Sequence, residues 1–205
     1  MNKGILTVVS GFSGAGKGTL MKRLIEKYDN YALSISATTR QSRPREMHGK
    51  DYFFQSIEEF EQMIAEDQLI EHANYVGNYY GTPRAYVEEQ LNTGKDVILE
   101  IELQGALKVK EKIPDTLLLF VTPPNAKNLM KRLTDRGTEG TAAIKARMKR
   151  AGEEAVYMDR YDYLVINDDL ETCVEQIHQI IQDEHFKVFR NINFIEKIKD
   201  ELKAF

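Results

Sequence analysis

Gly11-Phe12-Ser13-Gly14-Ala15-Gly16-Lys17-Gly18-Thr19 follows the apolar run Ile5-Leu6-Thr7-Val8-Val9 and leads into a segment patterned by Leu20, Met21, Leu24 and Ile25 at helical spacing. A strand, a glycine-rich turn and a helix in that order form the setting of a phosphate loop. Glycines let successive backbone N–H groups turn inward around an anion, and the helix directs its positive end at the same point. Lys17 adds a full charge for β- and γ-phosphates. A mere tight connection has no use for Lys17, because a helix start disfavours a cation unless an anion is present. The glycines also miss the G-x-G-x-x-G spacing of a dinucleotide site. We therefore expect a nucleoside triphosphate on Gly11 through Thr19. Gly18 departs from the general pattern, which has Ser or Thr directly after the lysine. Thr19 then supplies the hydroxyl for Mg²⁺, or the ion is held through water.

Working outward, strand-like runs at Ile5 to Val9, Val97 to Ile101, Leu117 to Val121 and Tyr163 to Ile166 alternate with helical patterns. This predicts an α/β fold with a parallel sheet covered on both faces. Ser56 with Glu59 is a capping-box signature ahead of Ile57, Phe60, Met63 and Ile64. Thr82 before Pro83 reads as an N-cap and first-turn proline, with Val87 and Leu91 on one face and Gly94 as the stop. The stretch from the first helix to that point, rich in Arg, Tyr, Ser and Gly, is too long for an ordinary crossover and reads as an inserted substrate lobe. A second polar, glycine-punctuated segment runs from Arg132 to Thr141 and suits a mobile cover over phosphates. From Phe186 through Phe189, Ile192, Ile195, Ile198 and Leu202 the pattern is an amphipathic helix, expected to pack on the core, with a dimer contact as the lesser reading.

At 205 residues the chain can bury one substantial core. A formal charge of −4 gives no global reason to expect nucleic acid as a partner. The single cysteine, Cys173, excludes an intramolecular disulfide and sits at an apolar helical position, where a buried, inert thiol is expected. His48, His72, His178 and His185 show no paired ligand spacing, so no zinc site is expected. No cationic and apolar leader precedes the first strand, and no apolar run approaches membrane-spanning length. The expectation is a cytoplasmic protein with no membrane partner.

The segment Ser34-Ile35-Ser36-Ala37-Thr38-Thr39-Arg40-Gln41-Ser42-Arg43-Pro44-Arg45-Glu46, continuing to Gly49-Lys50-Asp51-Tyr52-Phe53-Phe54, closely resembles the GMP-binding lobe of the guanylate kinase family. Similar to that family are also Ile70-Glu71, Gly77-Asn78-Tyr79-Tyr80-Gly81-Thr82, Leu99 to Gly105, Arg132 to Glu139, Arg147 and Val165 to Asp169. With the phosphate loop these motifs run in family order over roughly residues 4 to 185, a far more specific signal than a loop alone.

The resemblance implies a P-loop NTPase-type parallel sheet covered by helices, with an inserted GMP-binding lobe and a lid. The divisions expected are 1–34, 84–125 and 156–185 for the core, 35–83 for the lobe, 126–155 for the lid with its flanking helices, and 186–205 for the C-terminal helix. It implies transfer of the γ-phosphoryl group of ATP to GMP, and to dGMP, with Mg²⁺, by a monomer or homodimer. Glu71 and Glu102 would accept from the N1–H and 2-amino edge of guanine, an edge adenine lacks. Ser36 and Thr82 hydroxyls would donate to O6, although capping alone is a sufficient reason for Thr82. Arg40, Arg43, Tyr52 and Tyr80 would grip the GMP phosphate. Lys17, Arg132, Arg136 and Arg147 would clamp the transferring group. Asn167 resembles the residue beside the family's adenine pocket. Glu100 and Glu102 stand where many members carry aspartates; Glu100 would hold a water of the Mg²⁺ shell or orient Lys17. Lys149 and Arg150 are expected to be solvated. Two rival readings are a non-catalytic partner-binding module, which would lack Lys17 and the lid arginines, and a kinase of another small phosphorylated acceptor, which would not need the acidic pair.

Overall fold

The computed structural model of the chain describes residues 3–75, 77–135 and 140–205, so Arg136 lies outside the described residues. In chain order the elements are β1 (Leu6–Gly11), α1 (Lys17–Lys27), β2 (Tyr31–Leu33), β3 (Ala37–Thr38), β4 (Phe53–Phe54), α2 (Ile57–Ala65), β5 (Leu69–Tyr75), β6 (Asn78–Pro83), α3 (Arg84–Asn92), β7 (Asp96–Glu100), α4 (Leu103–Lys112), β8 (Leu117–Thr122), α5 (Ala126–Asp135), α6 (Thr141–Ala155), β9 (Tyr163–Ile166), α7 (Leu170–Glu184) and α8 (Ile192–Leu202).

Five strands form a parallel sheet in the order β2-β7-β1-β8-β9. The run Leu117-Leu118-Leu119-Phe120-Val121 is buried throughout, as a strand covered on both faces must be. On one face Ile5, Val9, Leu119 and Val165 meet Leu20, Met21 and Leu24 of α1 and Val174, Ile177 and Ile181 of α7. On the other, Leu6, Val8, Leu99 and Leu118 meet Val87 and Leu91 of α3 and Ala106 and Val109 of α4. Each of these valines, leucines, isoleucines and methionines contributes about 1.5–3 kcal/mol on burial, so these two layers supply the bulk of the driving force. Cys173 is buried in α7, and burial pushes its thiol pKa up.

β1 lies between β7 and β8, while the next strand in sequence, β2, goes to the sheet edge. Such a switch in winding direction opens a crevice at the carboxyl ends of the strands, and the phosphate loop leaves β1 there. Gly11 makes the exit possible: its φ is 149°, and a Cβ at this position would fall 2.0 Å from the Val121 carbonyl oxygen. A smaller mixed sheet, β4-β3-β6-β5, is built from residues 37–83. It covers α2, whose Phe60 is fully buried and stacks on Tyr79 with ring centroids 5.3 Å apart. Ser56 and Glu59 form the reciprocal capping box that the sequence signals.

The structure corrects two sequence expectations. Thr82 is not an N-cap: it ends its side chain inside β6, Pro83 takes the cap position and α3 starts at Arg84. The residue that captures its hydroxyl, Glu71, lies across the hairpin, and that tertiary bond outweighs the local Thr-Pro signal. The C-terminal helix does not pack on the core; α8 buries none of its residues, and Phe186, Phe189, Phe194 and Leu202 are exposed. Arg190 ties the preceding turn to the body through the Asp115 carbonyl at 2.9 Å. Among the described residues no helix is long and apolar enough to cross a membrane.

At the amino-terminal edge of the sheet Asp96, 1% exposed, accepts from the Ile5 N–H (2.8 Å), Gln182 (3.1 Å) and Asn30 (3.3 Å), and its carboxylate contacts His185 Nε2 at 2.8 Å. One side chain therefore fastens β1, α7 and the β2 approach together. Asp96→Ala strands a buried backbone N–H and should cost about 3 kcal/mol, whereas Asp96→Asn, which keeps an acceptor, should cost about 1 kcal/mol less than that. Thermal unfolding of both variants measures the difference.

Candidate active site

The loop between β1 and α1 is shaped before any ligand arrives. Gly14 and Gly16 each have φ 95°, a left-handed conformation natural to glycine. Gly16 caps α1 without a side chain, and the first turn carries no acidic residue of its own, so its N–H groups are not taken by a local carboxylate cap. Lys17 bends back over the loop and donates to the carbonyls of Gly11 (2.7 Å) and Phe12 (3.3 Å). Ala15 is buried, and its carbonyl accepts from Asn167 Nδ2 (2.7 Å) and Arg132 Nη1 (3.1 Å). Arg132 Nη2 also donates to the Asn167 carbonyl at 2.7 Å. Asn167 is thus a brace on the loop as well as a wall of the adjoining cleft, which Gly14, Thr19, Asp135 and Leu170 also line. Gly16 must lack a side chain, since a Cβ there would meet Asn167 Nδ2 at 2.5 Å. From α6, Arg147 Nη1 donates to Ser13 Oγ at 2.9 Å.

Glu100, at the end of β7, shares a second cleft with Ser13, Lys17, Gly18 and Thr19. Its carboxylate lies 3.7 Å from where a Gly18 Cβ would begin, so the missing side chain leaves room between loop and carboxylate. Although solvent reaches it, the surrounding protein pushes its pKa up, and Lys17 draws it back down.

Two residues beyond Glu100, Glu102 starts a different group. It caps α4, accepting from the Gly105 N–H at 2.8 Å. Its other oxygen is 4.0 Å from Arg150 Nη2; Arg150 is exposed, as expected, and also pairs with Glu154 on its own helix at 2.9 Å. Glu71 on β5 approaches the same turn, with Oε2 3.1 Å from the position a Gly105 Cβ would take. Glu71 is 7% exposed and accepts from the Thr82 hydroxyl at 2.8 Å. Burial is the main cause raising its pKa; the Thr82 bond opposes the rise and Glu102 adds to it. A carboxylate kept out of water on so few partners is expensive unless a ligand completes it.

At the far end of the small sheet Arg40 lies over the Tyr52 ring at 5.2 Å, and Tyr52 and Tyr80 stand 6.2 Å apart between centroids. Arg40 is paired in a fork with Glu46, with both bonds at 3.0 Å, which raises the Arg40 pKa. Arg43 is exposed on the same loop, and its backbone N–H donates to Glu46 at 2.7 Å. Ser36 precedes β3, its carbonyl accepting from the Phe53 N–H at 2.9 Å. Glu46 and the capping role of Glu102 escaped the reading of the sequence. The signals available were Pro44 two residues before Glu46, marking a turn, and Gly105 three residues after Glu102.

The phosphate loop lines two clefts, the Glu71–Glu102 acidic pair begins two residues beyond Glu100, and the arginine-tyrosine group stands on the small sheet. The sequence model of the family described as Guanylate kinase matches residues 3–184. The chain belongs to the guanylate kinase family. It is 48% identical over 202 residues to the guanylate kinase of Lactococcus lactis subsp. lactis, covering 98% of each chain. With that of Caldanaerobacter subterraneus subsp. tengcongensis it shares 51% over 199 residues, 97% of each. The crystal structure of guanylate kinase from Anaplasma phagocytophilum superposes with a TM-score of 0.73 at 33% identity, covering 93% of this chain and 90% of that one.

Burial of Glu71 predicts a linkage effect of unusual sign for a carboxylate. The folded protein holds its proton more tightly than the unfolded chain, whose group titrates near 4.5, so its contribution to stability is lost as pH rises from there through the folded value. Glu71→Gln should therefore raise Tm relative to the parent more at about pH 7.5 than at about pH 4. Melting curves of the two proteins across that range check the sign.

Proposed function

We propose that this chain carries out the reaction of its family, transfer of the γ-phosphoryl group of ATP to GMP or dGMP, with the residues above in the following roles. The observation that carries the reading is the Glu71 carboxylate, 7% exposed and bonded by the Thr82 hydroxyl, next to Glu102, which follows by two residues the Glu100 that lines the phosphate-loop cleft. Guanine offers N1–H and a 2-amino group side by side; Glu71 accepts from both, and Glu102 accepts from the 2-amino group. Thr82, now bonded to Glu71, turns its hydroxyl toward O6, with Ser36 beside it. Adenine presents an acceptor at N1 and would leave Glu71 buried and unpaired, a mismatch that costs far more than a lost methyl contact. Arg40, Arg43, Tyr52 and Tyr80 take the GMP phosphate.

The donor triphosphate lies on Gly11 through Thr19, with its base in the cleft beside Asn167. Lys17 places its charge on the β- and γ-phosphates. Arg132, Arg147 and Arg136, the last outside the described residues, surround the transferring group as residues 126–155 close over it. An oxygen of the GMP phosphate forms a bond to the γ-phosphorus while the bond from that phosphorus to the bridging oxygen breaks, and its electron pair leaves with ADP. The attacking oxygen is already deprotonated near neutral pH, so neither a protein nucleophile nor a general base is needed.

Mg²⁺ fits the residues at the loop. A hydroxyl at Thr19 and a carboxylate at Glu100 are hard oxygen donors, and the room at Gly18 admits water between them. The ion keeps several waters and takes phosphate oxygens, so one or two protein groups suffice to hold it. When bound it would supply charge neutralisation on the phosphates.

Release of ADP measured across GMP, dGMP, AMP, CMP and UMP tests the assignment. GMP and dGMP should be turned over far faster than the rest; comparable rates with AMP, or none with GMP, would overturn it. Lys17→Ala should lower kcat by about a thousandfold while GMP affinity changes little. A loss confined to GMP binding would contradict the role given to Lys17.

A further inference from the structure

We propose that Glu46 is a positioning residue for the acceptor site, holding the Arg40 guanidinium in the orientation that meets the GMP phosphate. The inference rests on the reading of Arg40 given above.

The loop geometry is specific. Residues 43–46 form a tight turn closed by the Glu46 N–H on the Arg43 carbonyl at 3.0 Å. Pro44 occupies the second position, where its fixed φ suits the turn, and Arg45 occupies the third with φ 78°, a conformation that favours glycine. A backbone strained in this way persists only when its surroundings over-determine it. Here the turn brings Glu46 back onto Arg40. Its carboxylate accepts from Nη1 and Nη2 at 3.0 Å each, and from the Arg43 N–H at 2.7 Å. Arg40 Nη1 also donates to the Gln41 carbonyl at 2.7 Å, and the guanidinium is laid over Tyr52 and Phe54 at 5.2 and 5.9 Å.

Side chains in this pair are 15% and 20% exposed, against more than half for the pairs along α8, and its bonds are a bidentate fork rather than a single contact. A guanidinium has two bidentate edges: the end-on pair Nη1 and Nη2, and the side-on pair Nε and Nη2. Glu46 takes the first. The side-on edge is the one Glu46 does not use; the guanidinium also hydrogen-bonds Tyr80, whose ring centroid is 6.2 Å from that of Tyr52. Fixing a long, rotamer-rich side chain in advance removes an ordering cost that GMP would otherwise bear. The expected signature is therefore on acceptor binding alone.

The test is a cycle of four proteins: parent, Glu46→Gln, Arg40→Met and the double variant, with KM for GMP, KM for ATP, kcat and Tm measured for each. Glu46→Gln keeps the side chain's shape and loses the charged fork. It should raise KM for GMP about tenfold, leave KM for ATP and kcat within about twofold, and add less than about twofold in the Arg40→Met background. An unchanged or lowered KM for GMP in Glu46→Gln would overturn the positioning role, as would an equal effect with and without Arg40, or a matching rise in KM for ATP. If Arg40→Met itself leaves KM for GMP unchanged, the phosphate-site reading fails and this inference fails with it. A rise in Arg40→Met without one in Glu46→Gln rejects only the latter.

Discussion

A carboxylate held out of water and bonded, among the described residues, by the Thr82 hydroxyl is the constraint around which the small sheet and the start of α4 are arranged. Glu71 sits on β5, its bonding partner Thr82 on the neighbouring β6, and the turn at Gly105 closes over it without a side chain. Each of these is a concession to a group that weakens the empty protein. Glycine at 105 lets the Glu71 carboxylate and the Ile101 side chain come within 3.1 and 3.3 Å of where its Cβ would be, and Thr82 offers only one of the several bonds a carboxylate can accept. Sites that bind by hydrogen-bonding one edge of a planar base share this economy: what is unsatisfied when empty is what discriminates when full.

The distance between that acceptor site and the phosphate loop is set by the chain itself. Glu100 faces Lys17 and Gly18, while Glu102, two residues on, caps α4 beside Glu71. Two residues of extended backbone span roughly 7 Å, so under the proposed assignment the end of one sheet strand serves as a ruler between the phosphate loop and the acidic pair. Ser10 fixes the middle of that ruler, donating to the Ile101 carbonyl at 2.9 Å. The loop end is fixed equally firmly, since Gly11 lies against Val121 too closely for any side chain. Arginines arriving from α5 and α6 then reach a site whose two ends are already spaced.

How far this was legible from sequence follows the range of each interaction. The phosphate loop is local, with every part within nine residues, and the central strands show as continuous apolar runs because both their faces are covered. β2 was missed: at three residues, Tyr31–Leu33 is too short to carry a period. Thr82 misled because Thr-Pro is a strong capping signal, whereas the partner that decides its hydroxyl is eleven residues away across a hairpin. The apolar stripe of α8 was legible, but a stripe states that a face is apolar, not what it meets. Glu46 belonged to a quoted motif, yet its tie to Arg40 depends on a left-handed Arg45 that sequence propensity argues against.

The central claim is that the Glu71 carboxylate reads the donor edge of guanine. Titration calorimetry of GMP and AMP against the parent and Glu71→Gln tests it directly. The account predicts that the parent prefers GMP by about a thousandfold or more and that the substitution reduces this preference to about tenfold, by weakening GMP rather than by strengthening AMP. A GMP preference that survives the substitution intact would contradict it.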